Sequence, residues 1–86
     1  MACMIELHFT RRAARDIRKV SPEIRRKLEI ALDQLIDDPR TGDPLHGDWE
    51  GYWKLRVGGY RIIYRVVGTH VVEVQYVRHR REAYRR

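Results

Sequence analysis

Apolar and polar residues alternate on both sides of a glycine pair in the second half of the chain. Residues 52–57 and 60–65 are rich in aromatic and β-branched side chains, and Gly58 and Gly59 separate the two runs. Glycine tolerates the positive φ angles that both central positions of a type I′ turn require. The pattern therefore predicts a tight β-hairpin with a two-residue loop.

Counting outward from this loop assigns the side chains to two faces, because successive side chains of a strand point to opposite sides. One face is expected to be cationic, and it holds Tyr52, Lys54, Arg56, Arg61, Ile63 and Arg65. The other is apolar and suits a core, and it holds Trp53, Leu55, Val57, Tyr60, Ile62, Tyr64 and Val66. The predicted cross-strand pairs are Val57 with Tyr60, Arg56 with Arg61, Lys54 with Ile63 and Tyr52 with Arg65.

The predicted pair of Arg56 and Arg61 is unfavourable for the hairpin itself. A good cross-strand pair contributes about 0.2–1 kcal/mol, whereas like charges directly opposite each other destabilise the strands. Long side chains spread into water are the simple interpretation of such a pair. Several cations on one face favour instead a surface that binds an anion.

The first half of the chain predicts a strand and two helices. Residues 4–9 alternate, as in a short strand with one buried face. Thr10 is placed to cap a helix that reaches Arg18, with the arginines on its solvated side. Ser21 predicts the start of a second helix, which we expect to end at Asp38, before a proline. Its apolar stripe comprises Ile24, Leu28, Ala31, Leu32, Leu35 and Ile36.

The two helices, joined by a short turn, are expected to form an antiparallel hairpin that covers the sheet. Residues 38–51 predict a loop, in which His46, Asp48 and Glu50 are turn formers or, as an alternative, an acid–base site. A last strand is expected over residues 71–77. A three-residue loop before it pairs Val67 with Val71 and sets Glu73 opposite Arg65. The core positions of this strand are then Val72, Val74 and Tyr76.

These elements describe one α+β domain over residues 1–86. It has an N-terminal strand, an antiparallel helix hairpin and a three-stranded antiparallel meander, with the helices packed on one face of the sheet.

Charge is distributed unevenly along the chain. The 86 residues contain 18 Lys and Arg and 12 Asp and Glu. Residues 1–50 carry nine basic and ten acidic side chains, whereas residues 51–86 carry nine basic and two acidic ones. The excess of cations on the hairpin and beyond it indicates a partner that bears phosphate.

Composition indicates the cellular compartment of the protein and whether it binds a metal or spans a membrane. Cys3 is the single cysteine, which excludes an internal disulfide and favours a reducing cytoplasm. The histidines lack the paired spacing of a zinc site, so no structural metal and no cofactor are predicted. The sequence has neither a membrane-spanning apolar run nor a signal peptide, and we expect a soluble, intracellular protein.

The C-terminal residues are the most basic part of the chain. Arg78, Arg80 and Arg81 surround His79, and Tyr84 follows. A solvated, disordered tail is one interpretation. Because an aromatic ring is interleaved with the arginines next to a cationic strand pair, RNA binding is favoured: arginines hold phosphates while a ring stacks on a base.

Three motifs together resemble the RelE/ParE toxin superfamily, and its RelE branch in particular. They are Pro44-Leu45-x-Gly47, the run from Lys54 to Arg65 containing Gly59-Tyr60-Arg61-Ile62-Ile63-Tyr64, and Val77-x-His79-Arg80-Arg81-Glu82-x-Tyr84. The resemblance covers nearly the whole chain. It implies a RelE-like fold and the toxin of a type II toxin–antitoxin pair, inhibited by a RelB-like antitoxin. RelE-like toxins cleave mRNA in the ribosomal A site by attack of the 2′-hydroxyl on the adjacent phosphate.

The resemblance also implies roles for individual residues. Lys54 matches a family lysine that acts as general base or phosphate ligand, and Arg56 and Arg61 match arginines that hold the phosphate and stabilise its charge. Arg80 matches the residue assigned to the leaving group, and Tyr84 the tyrosine that stacks on or orients the nucleotide. The remaining candidate RNA ligands are Tyr52, Arg65, Arg78 and Arg81.

The identity of the general base stays open. Tyr52 stands where some family members have a second lysine. Crowding by two arginines is the kind of environment in which a lysine can act as a base, which keeps Lys54 a candidate, while histidine is the residue type best suited to acid–base chemistry near neutrality, which keeps His79 a candidate. Two other functions are alternatives to the ribonuclease: a ParE-like poison of DNA gyrase, and a nucleic-acid-binding domain without catalysis.

Overall fold

The structure is a computed structural model that describes residues 5–79. Two helices and a five-stranded mixed sheet make up the fold, in the strand order β1-β5-β4-β3-β2. The elements are β1 (Glu6–Phe9), α1 (Arg11–Lys19), α2 (Pro22–Asp37), β2 (Asp43–Pro44), β3 (Tyr52–Val57), β4 (Tyr60–Val67) and β5 (Val71–His79). The predicted α+β arrangement is confirmed. Strand β1 runs parallel to β5, and the remaining neighbours are antiparallel.

Residues 38–51, predicted as a loop, contain two short elements. Strand β2 pairs with β3, and a 3₁₀ turn follows at Gly47–Trp49. A strand of two residues is too short to show an alternating pattern in the sequence.

The predicted hairpin register is confirmed at every pair from Tyr52 with Arg65 to Val57 with Tyr60. The turn itself differs from the expectation. Gly58 has a φ of 60°, and Gly59 is not among the glycines with positive φ. A positive φ at the first central position alone is typical of type II′ rather than type I′ turns, so the predicted turn type is wrong.

A β-bulge changes the faces of β5. The expected pairs of Val67 with Val71 and of Arg65 with Glu73 are present, but the register shifts between Ile63 and Tyr64. Ile63 pairs with Tyr76 and Tyr64 with Val74, which leaves Gln75 as the extra residue of the bulge. The prediction that Tyr76 faces the core is therefore wrong. Val77, 5% exposed, takes the core position opposite Ile62.

Helix caps form where the sequence predicts them. The Thr10 hydroxyl accepts a hydrogen bond from the amide of Ala13 at 3.0 Å, and Ser21 accepts one from the amide of Ile24 at 3.3 Å. Both helices pack on the apolar face of the sheet. The core comprises Ala13, Leu28, Ala31, Leu32, Leu35, Ile62, Tyr64, Val72, Val74 and Val77. Ile36, predicted as part of the stripe, is 37% exposed because the helix turns it away from the sheet.

Beyond the end of β1, residues at the start of α1 and within it form hydrogen bonds with the outer edge of β5. Strand β1 pairs with β5 only as far as Val74. Further along, the Thr10 hydroxyl donates to the carbonyl of Gln75, and the amide of Val77 donates to Asp16 Oδ2 at 3.0 Å. Two polar groups of the strand edge are thereby satisfied. The same contacts fix the first turn of α1 beside the bulge.

Candidate functional site

Three arginines lie side by side across the face of the sheet that points away from the helices. Arg56 pairs with Arg61, and Arg61 pairs with Arg78. We call these residues the arginine row. Arg78 joins the row only because of the bulge, since an unbroken register would turn it toward the core. Arginine forks bind phosphate oxygens in pairs, so the row is suited to a phosphate group.

Lys54 lies in the next row of the same face, two residues from Arg56 along β3. It pairs with Ile63, which pairs with Tyr76. Ile63 is only 4% exposed although it faces away from the helices. It therefore forms an apolar floor between the half-buried Lys54 and Tyr76, and Lys54 shares this face with the arginine row.

Arg65 lies at the margin of this face and already has a carboxylate partner. Its Nε donates to Glu73 Oε1 at 2.8 Å, and Gln75 Nε2 donates to the same oxygen at 2.7 Å. The bond from Arg65 lowers the pKa of the Glu73 carboxyl below its ordinary value of 4.5 and raises the pKa of the Arg65 guanidinium. The Glu73 carboxylate therefore offsets part of the positive charge that Arg65 could present to a phosphate.

His79 lies on the other face of the sheet. It pairs with Tyr60 at the hairpin end, and the two rings meet edge to face with centroids 5.0 Å apart. A side chain at Gly59 would bring its Cβ within 2.9 Å of the His79 ring. The structure thus does not bring His79 together with the arginine row. Arg80, Arg81 and Tyr84 lie outside the described residues.

Aromatic residues that the sequence did not single out adjoin Tyr52 on this face. The Trp49 ring lies 5.4 Å from that of Tyr52 and 6.3 Å from that of Tyr76. Arg12 and Arg78 place their guanidinium carbons 4.8 and 5.3 Å from the centre of the Tyr76 ring. Trp49 belongs to a loop without periodicity, and the bulge turns Tyr76 to this face of the sheet. The alternating pattern of the sequence therefore assigns neither residue to this face. The spacing of Trp49 three residues before Tyr52 is the one signal that the sequence offers.

Within residues 5–79, no group of three or more His, Cys, Asp or Glu side chains is arranged to hold a metal ion. None of the helices in the same range is long and apolar enough to cross a membrane.

The chain matches the family model of the ParE toxin of type II toxin-antitoxin systems, parDE, over residues 7–84. It therefore belongs to this family of toxins, as the three sequence motifs imply.

Relatives with similar sequences include RelE and RelG toxins. The chain is 37% identical over 83 residues to Toxin RelG of Mycobacterium tuberculosis (strain ATCC 25618 / H37Rv), covering 93% of this chain and 95% of the relative. It is 35% identical over 68 residues to the mRNA interferase toxin RelE of Escherichia coli K12, covering 77% and 72%. Toxin ParE1 of M. tuberculosis is 36% identical over 56 residues, covering 65% and 57%.

Solved structures agree with this placement. The RelBE2 toxin–antitoxin complex of M. tuberculosis contains a chain that matches with a TM-score of 0.80 at 33% identity, covering 92% of this chain and 94% of that one. The isolated RelE toxin of E. coli matches with a TM-score of 0.77 at 29% identity, covering 87% and 83%. The RelE-like fold predicted from the motifs is confirmed.

Proposed function

We propose that this protein is the toxin of a type II toxin–antitoxin pair and acts as an endoribonuclease that cleaves mRNA in the ribosomal A site. Membership of the toxin family and likeness to a relative named mRNA interferase toxin support the proposal. The single observation that carries it is the arginine row beside Lys54, which concentrates four cations on one face of the sheet. Such a protein works in the cytoplasm, where ribosomes are.

The proposed reaction is an internal transesterification of RNA. The 2′-oxygen forms a bond to the adjacent phosphorus, and the bond from phosphorus to the 5′-oxygen breaks. A base takes the proton of the 2′-hydroxyl, and an acid returns one to the leaving 5′-oxygen. The products are a 2′,3′-cyclic phosphate and a 5′-hydroxyl, and no oxidant or second substrate is needed.

Arg61 is the central residue in this proposal. It lies between Arg56 and Arg78 in the strand register, so the row brings arginines of three strands next to one another on this face. Negative charge on the phosphate oxygens grows as the five-coordinate transition state forms. Fixed cations aimed at that charge are usually the largest single contribution to catalysis, and removing one such donor typically lowers kcat about 10²–10³-fold.

Lys54 is the preferred candidate for the base, because it lies on the same face as the arginine row and His79 does not. A lysine in this role accepts the proton on its neutral amine. Arg80 stays the candidate for the leaving group and Tyr84 for orienting the nucleotide, as the family motif implies. We further propose that no metal is required, since the guanidinium groups supply the positive charge that a metal would otherwise bring to the phosphate.

The proposed partner is a RelB-like antitoxin. Relatives that resemble this chain have been solved as RelBE complexes. An antitoxin segment with acidic side chains on the arginine row would compete directly with RNA phosphate, which accounts for inhibition by simple occupancy.

Induction in bacterial cells tests the proposed function. Wild type should stop growth and create new mRNA 5′ ends at fixed codon positions within translated frames. Arg61→Ala should remove both effects while the protein stays folded. Arg26→Ala is a matched control, because it removes an exposed arginine from α2 on the other side of the sheet. Full toxicity of Arg61→Ala would contradict the proposed site. A His79→Ala strain beside them tests whether His79 participates in cleavage.

A second function has its own support, because the matching family model describes ParE and a ParE1 relative is 36% identical. A ParE-like toxin that poisons DNA gyrase would arrest growth with a DNA-damage response and intact mRNA. Mapping mRNA ends and measuring the DNA-damage response in the same induced culture distinguishes the two toxins.

A further inference from the structure

An aromatic cleft opens on the sheet face next to the arginine row, where the 3₁₀ turn meets β3 and β5. The cleft is open to solvent and has a volume of about 330 Å³, which is at the lower end of the roughly 300–1,000 Å³ typical of small-ligand pockets. The residues that line it are Thr10, Arg12, Trp49, Tyr52, Gln75 and Tyr76.

The rings of this cleft are arranged to receive another planar group. Trp49 meets Tyr52 at an interplanar angle of 82° and Tyr76 at 72°. An edge-to-face contact, unlike a stacked one, does not cover both rings face to face, so it leaves ring faces that the partner ring does not occupy. Trp49 is also 47% exposed, so nearly half of its surface is accessible to a ligand.

Polar groups surround the rings. The guanidinium carbon of Arg12 lies 4.8 Å from the Tyr76 ring centre, and that of Arg65 lies 5.9 Å from the Tyr52 ring centre. The amide of Gln75 is held in place by its bond to Glu73 at 2.7 Å. Aromatic faces combined with arginine planes and an amide are what proteins use to stack unpaired RNA bases and read their edges.

The strand register shows how far the aromatic cleft lies from the arginine row. Tyr76 shares its row with Lys54, and Tyr52 precedes Lys54 by two residues on the same face. Two residues along a strand span about 7 Å. A nucleotide whose phosphate occupies the arginine row therefore has the cleft within reach of a neighbouring base.

We propose that the aromatic cleft binds an unstacked nucleobase next to the phosphate held by the arginine row, with Trp49 as its stacking platform. This inference rests on the proposed RNA-binding function and adds a base-binding subsite to it. The base is held by face-to-face contact with Trp49, while Arg12 and Gln75 contact its edge.

Binding measured with and without bases tests the inference independently of cleavage. The probes are a six-nucleotide single-stranded RNA with 2′-O-methyl groups, which block cleavage, and an abasic sugar–phosphate oligomer of the same length. Wild type should bind the RNA at least about tenfold more tightly, because base stacking is worth roughly that factor or more. Tryptophan emission should fall only with the RNA. Trp53 supplies a constant background, since its ring stacks on Tyr64 with centroids 6.3 Å apart.

Three variants identify the residue responsible. Trp49→Ala should reduce the preference for RNA over the abasic oligomer about tenfold, whereas Trp49→Phe should keep most of it. Ile30→Ala is the control, because it truncates a side chain that is 57% exposed on α2, on the helix side of the sheet. Thermal unfolding of each variant verifies that the fold is retained.

The outcomes separate the inference from the proposed function. If wild type binds both oligomers equally, or if Trp49→Ala keeps the full preference for RNA, the base-binding subsite is refuted while the phosphate site stands. If Trp49→Ala weakens only the affinity for an antitoxin, the cleft is a protein contact and the inference is again refuted. Failure of wild type to bind either oligomer would contradict the RNA site itself.

Discussion

Tyr64 connects the sheet to the loop after α2, and its hydroxyl group offers a sharp test of what holds the fold together. Its side chain is fully buried. The hydroxyl donates to the carbonyl of Pro39 at 2.7 Å and accepts from the amide of Gly42 at 3.1 Å. The loop also passes so close to the strands that a Cβ at Gly42 would lie 2.7 Å from this hydroxyl.

Replacing Tyr64 by Phe keeps the buried ring and removes both hydrogen bonds. A typical hydrogen bond contributes about 0.5–1.5 kcal/mol net, so we expect the free energy of unfolding to fall by about 2 kcal/mol. At an m-value of about 1–2 kcal/mol/M in urea, the unfolding midpoint should move down by about 1–2 M. Urea denaturation followed by circular dichroism measures this shift. Tyr60→Phe is the matched control, because that hydroxyl belongs to a half-buried ring that packs on His79.

The pH dependence of the same variant provides an independent check. Burial raises the pKa of the Tyr64 phenol above its ordinary value of 10.0. The unfolded chain then loses this proton before the folded one does. The contribution of this shift to the free energy of unfolding is fully present below pH 10 and is lost as the pH rises through the raised pKa of Tyr64. The free energy of unfolding of Tyr64→Phe should lack this pH dependence. Unchanged urea stability, or lost activity in protein that is still folded, would refute the assigned structural role.

Three further variants test single contacts. Glu73→Gln should lower stability slightly above pH 4.5, and its difference from wild type should vanish as the pH falls through the lowered pKa of Glu73, which acid titration in urea detects. Asp16→Ala should lower the unfolding free energy by about 1–3 kcal/mol because the Val77 amide loses its acceptor, and Asp16→Asn should restore most of the loss. Arg56→Ala should weaken RNA binding more than Arg65→Ala, because Glu73 already neutralises Arg65; equal losses in a filter-binding assay would contradict this order.

The hairpin and the helix caps could be predicted from the sequence because local rules determine them. A glycine pair between two alternating runs leaves one register that keeps Trp53 and Tyr64 on the same side, and the structure has that register. Thr10 and Ser21 cap helices through hydrogen bonds to residues three positions away. Such short-range chemistry is visible in a sequence.

The bulge at Gln75 could not be predicted, because long-range contacts determine it. An alternating pattern specifies the side of each residue only while the register is unbroken. The Thr10 hydroxyl bonds the carbonyl of Gln75 across 65 residues of sequence, and Asp16 bonds Val77 across 61. Alternation therefore placed Tyr76 in the core and gave no sign that Arg78 belongs to the arginine row. The same contacts bring Arg12 from α1 to the aromatic cleft.

Cleavage of a defined mRNA in the A site of ribosomes by the purified protein tests whether the arginine row catalyses attack by the 2′-hydroxyl. One mRNA is all ribose, and a second carries a single 2′-deoxy nucleotide on the 5′ side of the scissile phosphate. Wild type should cleave the first mRNA to a 2′,3′-cyclic phosphate and a 5′-hydroxyl and leave the second intact. Arg61→Ala should cleave the first about 10²–10³-fold more slowly. Cleavage of the deoxy mRNA at an undiminished rate, or full activity of Arg61→Ala, would contradict this mechanism.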